Sequence, residues 1–510
     1  LAWSLKNPKV IGVVAVALLL AAGVVYTQVG KTFMPTMDEG DVIVGIEKLP
    51  SVSLEESAAI DLKIHQAIMK AIPEVTGIVA RAGSDEIGLD PMGLNQTDTY
   101  LLLKPTAEWR MKGKEALIDE VRKVLDTLTG IKYSFTQPIE MRVSEMIIGV
   151  RGDLAVKIFG PDLDKLNEYA GQIEALLKTV PGNQDVYTVQ NDGVQYLRVA
   201  VDRARAGQLG LSVEDIQDAL RTQIEGQSAG LVIEGNRRTP IVVRGGESVR
   251  LSPSEFAALR VTTRDGNTVP LESVATLERT DGPVKIDREM GSRYSVVIAN
   301  VAGRDLVGFV EDAKALVVQK VPLTTGYRIT WGGQFENQQR AAQRLAVVVP
   351  VAVGLIFVLL FSTFGSVRQS ILILSNVPFA MVGGIVALWV TGEYLSVPAS
   401  VGFIALLGIA VLNGVMLVSY FNQLRSEGYE LVDAVVQGAR RRLRPVLMTA
   451  SITALGLVPL LFATGPGSEI QRPLAIVVIG GLTTATALTL LLLPILYLRF
   501  AFSRKEKARV

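Results

Sequence analysis

The 510-residue sequence has no cysteine and a single histidine, His65. The first absence removes disulfides as a source of stability, and the two together remove the thiolate and imidazole sets that dominate structural zinc sites. Aromatic residues make up only 6% of the chain, too few for a densely aromatic pocket of the kind that holds amphiphilic molecules. Net charge is nearly absent too: 51 basic and 50 acidic residues leave +1, which gives nucleic acid no electrostatic footprint to bind. There is no nucleophile elbow, phosphate-binding loop or histidine-based metal motif, so neither an enzyme nor a resident cofactor is expected.

What the chain has instead is long apolar runs. Mean hydropathy is +0.35, and the apolar residues are concentrated rather than spread. Ile11 to Val25 contains no charge, and Val10–Val29 is long enough to cross a hydrocarbon core of roughly 30 Å. A signal peptide is disfavoured there because no clear small-residue cleavage site follows. Five more spans are predicted at Leu345–Phe361, Ile371–Val390, Val397–Tyr420, Val446–Ala463 and Pro473–Leu498. Basic residues favour the cytoplasmic side. Lys6, Lys9, Arg368, the cluster Arg440, Arg441, Arg442 and Arg444, and the tail Arg504, Lys505, Lys507 and Arg509 all fall on one side of this six-span scheme. The opposite loops, Thr391–Ser396 and Thr464–Gln471, hold Glu393 and Glu469 but no Lys or Arg. Residues 30–340 are thereby expected outside the cytoplasm. Glu427–Arg442 reads as an amphipathic helix at the inner membrane surface.

Between the first span and the rest, the pattern changes to short strands and amphipathic helices. Asp41–Leu49, Val75–Ala82, Thr97–Leu103 and Lys132–Gln137 read as strands, and Ser53–Ala71 and Lys114–Leu128 as helices, giving the order βαββαβ. A second unit opens with strand Leu154–Phe159, helix Leu163–Val180 and strands Asp185–Gln190 and Gln195–Val201, followed by helix Val213–Ile224. A β-rich insertion from Glu225 to about Pro283 precedes strand Tyr294–Val301, helix Leu306–Val321 and strand Tyr327–Trp331. The domain is therefore an internal duplication of split βαβ units. Inside the insertion, Gly230–Ile233 and Ile241–Val243 flank Glu234 to Arg238 as a hairpin, either a surface turn or an arm that docks on a neighbouring protomer.

Several stretches carry a family likeness that periodicity alone does not give. Phe33 to Asp41 (FMPTMDEGD), Gly408 to Gly414 (GIAVLNG), Arg444 to Thr449 (RPVLMT) and Thr464 to Glu469 (TGPGSE) are similar, in order and spacing, to the C-terminal half of resistance-nodulation-division pumps. Glu140 to Glu145 (EMRVSE), leading to Gly149, Val150 and Arg151, resembles the heavy-metal branch, the cobalt-zinc-cadmium and copper-silver exporters. The resemblance implies an α+β membrane protein with six transmembrane helices, the seventh to twelfth of a twelve-helix pump. It carries two ferredoxin-like βαββαβ porter subdomains, residues 30–150 and 151–224 with 284–340, and a docking subdomain over 225–283. It implies a proton-driven exporter in the inner membrane of a Gram-negative-type bacterium, with a periplasmic domain. Its partners would be an N-terminal half, two further copies in a homotrimer, a periplasmic adaptor and an outer-membrane channel. The chain begins at Leu1 rather than Met, consistent with sequence upstream.

No titratable residue lies near a span centre, so the proton relay is expected outside this sequence. Asn413 is the intramembrane polar candidate, either packing beside Gly408 and Gly414 or hydrogen-bonding to carboxylates on another helix. His65, between Lys63 and Lys70, reads as a solvated surface residue. In the resemblance, the positions that match the cleft methionines of the copper-silver branch look like Gly45, Gln96 and Glu145, so a soft monovalent metal is disfavoured. The metal candidates are Glu145, after the strand linking the two porter units, with Asp98 on its strand and Asp90 in the preceding loop. Such oxygen ligands suit a divalent cargo of the zinc, cobalt, nickel or cadmium type. Amphiphilic drugs or lipids as cargo, or a non-transport docking or sensor module, are the alternatives.

Overall fold

The computed structural model describes residues 2–35, 37–84, 92–111, 113–142, 152–189, 193–246, 252–263, 265–463, 465 and 467–500. Helix α1 (Pro8–Gln28) leads into β1 (Val42–Glu47), α2 (Leu54–Ala71), β2 (Val75–Ala82), β3 (Gln96–Leu103), α3 (Lys114–Leu125) and β4 (Lys132–Thr136). The Ser53 hydroxyl accepts from the Glu56 N–H, and the acids Glu55 and Glu56 sit in the first turn, where the helix dipole favours them. The four strands form one antiparallel sheet in the order β2-β3-β1-β4. Its core is aliphatic: Val42, Val44, Ile46 and Leu101 pack on Ile64 and Ile68 of α2 and on Leu117 and Val121 of α3.

A second sheet repeats this plan. Strand β5 (Leu154–Phe159), helix α4 (Leu163–Leu177) and β6 (Asn183–Thr188) come first. After a long excursion the chain returns as β13 (Arg288–Glu289), β14 (Ser292–Val301), helix α6 (Leu306–Lys320) and β15 (Arg328–Gly333). The pairings run β6-β14-β5-β15, with β13 beside β14. In order of appearance within their own sheets, both sets therefore run second, third, first, fourth. Leu154, Val156 and Ile158 pack against Ile173 of α4 and Phe309 and Val310 of α6.

The excursion forms a separate compact unit, residues 190–286 with 50–52. It holds β7 (Val194–Val201), α5 (Val213–Ile224), β8 (Gln227–Glu234), β9 (Arg237–Val243), β10 (Arg260–Thr262), β11 (Thr268–Pro270) and β12 (Ala275–Gly282). Strand β7 pairs with β12 along its whole length, from Val194↔Gly282 to Val201↔Ala275. The insertion thus opens just after β6, and β7 and α5 belong to it rather than to the second sheet. The sequence boundary at Glu225 is corrected on this point. Ala206, Ile216, Phe256 and Leu271 fill this unit's small core. Strands β8 and β9 form the expected hairpin, turning at Gly235 (φ +61) and Asn236, and every residue of both strands is exposed.

The helices that follow β15 are α7 (Gln334–Phe364), α8 (Val367–Leu374), α9 (Asn376–Thr391), α10 (Val397–Ser426), α11 (Leu431–Leu461) and α12 (Ser468–Phe500). Among the described residues six helices, counting α8 and α9 together as Val367–Thr391, are long and apolar enough to cross a membrane. All six sequence spans fall on these helices, two of them overrunning an end, by Val29 in one case and by Phe462 and Ala463 in the other. The surface helix expected at Glu427–Arg442 is instead mostly the first part of α11, which continues without a break through Pro445. Small residues set the closest helix approach: a Cβ on Gly383 of α9 would overlap the backbone of Gly480 of α12. Arg472 in the first turns of α12 reaches Glu393 of the α9–α10 loop at 3.4 Å.

Candidate metal site and intramembrane polar groups

Alternation along β3 divides its side chains between two faces. Thr97, Thr99 and Leu101 face α2, where Thr97 Oγ1 donates to Asp61 Oδ2 (2.7 Å) and Thr99 Oγ1 lies 3.1 Å from His65 Nε2. His65 is therefore half-buried at the helix–sheet seam rather than solvated, and desolvation pushes its pKa down. The same seam buries an ion pair, with Lys48 Nζ 2.6 Å from Asp61 and 2.8 Å from Thr97 Oγ1.

Asp98 points to the other face. It is fully buried, and Arg81, its register partner on β2, donates to Oδ2 at 2.9 Å. On its other side the register partner is Gly45 of β1, which adds no side chain to crowd that face. A guanidinium this close partly neutralises Asp98, so a divalent cation would compete with Arg81 for the carboxylate. Glu145 and Asp90 lie outside the described residues, so Asp98 is the one predicted metal residue that has described geometry. Among the described residues no group of three or more His, Cys, Asp or Glu side chains is arranged to hold a metal.

Two acids flanking the link between the sheets were not singled out from sequence. Glu140 is pushed up to about 7, first by desolvation and then by the nearby negative charge of Asp153 and of Glu39. Asp153 is pushed up to about 6 by desolvation and by Asp185, against the Val301 N–H that its carboxylate accepts at 3.1 Å. Around Glu140, Gln137 accepts from Lys114 Nζ (2.6 Å) and from the Glu39 N–H (2.9 Å), and Lys114 also reaches Asp38 (2.8 Å). Asp153 sits in a chain of contacts. Arg122 of α3 pairs with Asp185 of β6, Asp185 accepts from Asn300 (3.4 Å), and Asn300 accepts from the Asp153 N–H (3.3 Å). Gln334, the first residue of α7, donates its side-chain amide to Asp153 Oδ1 (3.0 Å) and its backbone N–H to Asp153 O (2.9 Å). The only sequence signal for this cluster is a pair of acids on either side of the apolar link.

In the membrane helices Asn413 of α10 is buried at 3% exposure. Its Nδ2 has no hydrogen-bond partner among the described residues, and neither has Asn376 Nδ2 at the start of α9, nor Thr486 and Thr489 Oγ1 of α12. Asn376 Nδ2 lies beside Gly414, where a Cβ would meet it at 2.9 Å. Buried polar groups that have no partner are costly in an apolar surround.

Six membrane-length helices, the first separated from the other five by an α+β domain with two similar sheets, are the organisation of a polytopic membrane protein. The sequence profile of the AcrB/AcrD/AcrF family matches residues 1–501, and the chain belongs to that family. Among curated relatives, it is 43% identical over 512 residues to the cation efflux system protein CzcA of Alcaligenes sp. (strain CT14), and equally identical to the cobalt-zinc-cadmium resistance protein CzcA of Cupriavidus metallidurans. In both cases 99% of this chain and 48% of the relative are aligned. A crystal structure described as a heavy metal efflux pump superposes with a TM-score of 0.85 at 40% identity, covering 96% of this chain and 50% of that one. The chain spans about half the length of the curated relatives it matches.

Proposed function

We propose that this chain is the C-terminal half of a proton-driven exporter of divalent heavy-metal cations, of the zinc, cobalt, nickel or cadmium type. The observation that carries the proposal is the 43% identity, across 99% of the chain, to a protein named for cobalt, zinc and cadmium resistance. The donor inventory agrees with it: a chain with no Cys and one His must use oxygen or thioether ligands, and Glu145, Asp90 and Asp98 offer oxygen. In this reading the two sheets are ferredoxin-like porter subdomains on the periplasmic side of the inner membrane. The exposed hairpin docks on the next copy of a trimer, and an adaptor and an outer-membrane channel complete the export path.

The unpartnered amides and hydroxyls at Asn376, Asn413, Thr486 and Thr489 support the coupling part of the proposal. They are suited to hydrogen-bond relay carboxylates on helices outside this sequence, and Asn413 is the residue assigned that role. Glu145 is assigned as the principal cargo ligand. Asp98 is assigned a lesser part, because the cation must displace or share Arg81. Metal-tolerance assays at matched membrane levels test this assignment. Glu145→Gln should lower tolerance to divalent metals with expression intact, and Asp98→Asn should lower it less. Unchanged tolerance to zinc, cobalt, nickel and cadmium in Glu145→Gln removes that residue from the site.

A further inference from the structure

At one end of the membrane helices a pocket of about 500 Å³ opens between α8 and α12, with Arg368 and Arg499 in its wall. Following the chain places this end. The turn from α7 into α8, the α10–α11 connection and the C-terminus of α12 all lie there, at the ends of membrane-length helices. Arg425, Arg440, Arg441, Arg442 and Arg444 belong to the same end, against the acids Glu427, Glu430 and Asp433. Positive charge therefore predominates where helices leave the membrane.

The pocket is built rather than a loose gap. Directly after Arg368, Gln369 of α8 exchanges two side-chain hydrogen bonds with Asn422 of α10, at 2.8 and 3.4 Å. The Tyr497 hydroxyl of α12 donates to Asn422 Oδ1 at 2.6 Å. Gln369 and Tyr497 are buried, so this polar triad fixes the spacing of the helices that form the walls. Apart from Ser375 the rest of the lining is apolar, and two of its members, Ile371 and Phe500, are each 56% exposed. Arg368 is exposed and makes no ion pair among the described residues.

We infer that this pocket binds the headgroup and upper acyl chain of an anionic phospholipid. The two guanidiniums match phosphate oxygens in charge and in planar, bidentate geometry. Ile371, Leu496 and Phe500 supply an apolar surface that only a ligand with a hydrocarbon part would cover. Basic pockets between membrane helices on the cytoplasmic side are suited to anionic headgroups, and a volume of roughly 300–1,000 Å³ is the usual scale of a small-molecule site. The inference depends on the membrane location alone and not on which cargo is exported.

Native mass spectrometry of the detergent-purified protein, with no metal and no proton gradient, provides the test. Phosphatidylglycerol and phosphatidylcholine of identical chains are titrated separately, with inorganic phosphate as a third arm. Phosphatidylglycerol is expected to bind at least about tenfold more tightly than phosphatidylcholine, and the R368Q/R499Q double variant should lose most of that preference. R368K/R499K keeps the charges and should retain part of it, which separates loss of the site from loss of the fold. Equal binding of the two lipids, an unchanged preference in R368Q/R499Q, or phosphate competing as well as the lipid binds would each overturn the inference.

Discussion

Asp153→Asn isolates the charge at the junction between the second sheet and α7. A carboxyl raised from its ordinary value of 3.8 to about 6 on folding carries no penalty below the lower value and a full one above the higher. Between them the unfolded chain binds fewer protons than the native one, so stability falls as pH rises through that window. Two pH units correspond to about 3 kcal/mol. Asp153 keeps some contact with solvent, which reduces the expected penalty to about 1–2 kcal/mol. Glu140, raised to about 7, extends the fall toward neutrality. The asparagine removes the titration but can still accept the Val301 N–H, and the Gln334 amide can turn to accept its NH2 group. Its absolute stability will reflect weakened charge-assisted bonds, so the informative quantity is the slope. Thermal unfolding of both proteins in one detergent at pH 5 and pH 7.5 should show the difference in Tm, variant minus parent, growing by about 2 °C or more at the higher pH, given roughly 2–4 °C per kcal/mol for large domains. A difference independent of pH, or one that shrinks as pH rises, would refute the assignment of an ionisation penalty to this carboxyl.

Lys48→Met leaves Asp61 charged and buried without its ammonium. It should destabilise the first sheet by about 3–5 kcal/mol in thermal unfolding, with much of the loss recovered in K48M/D61L. A cysteine introduced at Gly235, at the tip of the exposed hairpin, should react with an impermeant thiol reagent in intact spheroplasts, whereas labelling only after lysis would reverse the topology.

The membrane helices were legible because a bilayer requires an apolar run of about 20 residues, and little else in a sequence imitates one. The first sheet was legible because its strands alternate and Ser53 and Glu56 mark a helix start. The start of the insertion was not. Val194–Val201 follows β6 as the second arm of a hairpin would, and only its pairing with β12, some 80 residues on, reveals that it belongs elsewhere. In α11, Pro445 and the preceding arginines read as a boundary between a surface helix and a span. At the candidate site, the chemistry of Asp98 was visible but its neutralisation by Arg81 was not, since that depends on strand register. His65 was misplaced for a related reason: its neighbours Lys63 and Lys70 are polar, yet one edge of α2 turns it toward Thr99. The Glu140–Asp153 pair had only its two flanking acids as a signal, because the burial that raises both depends on tertiary packing.

The join between β15 and α7 contains no spacer. Gly333 closes the strand with φ +90 and is pressed so close to Asp153 that a Cβ would lie 2.5 Å from its carbonyl oxygen, and Gln334 begins a 31-residue helix at once. The other junction with the membrane is different, since no strand follows α1 directly: Lys31 bridges to Leu395 of the α9–α10 loop, and Glu39 bonds to Gln137 before β1 begins at Val42. Mechanically, one connection is a welded strut and the other a strap pinned at intervals. A tilt or axial shift of α7 would be delivered to the second sheet through continuous backbone, while a displacement of α1 would be passed on through hydrogen bonds, from Lys31 to Asp305 and Val307 at the start of α6 and from Glu39 to Gln137 and Ile139 after β4. The two routes from the membrane into the domain outside it are therefore unequal in kind, one of unbroken backbone and the other of hydrogen bonds that can be exchanged.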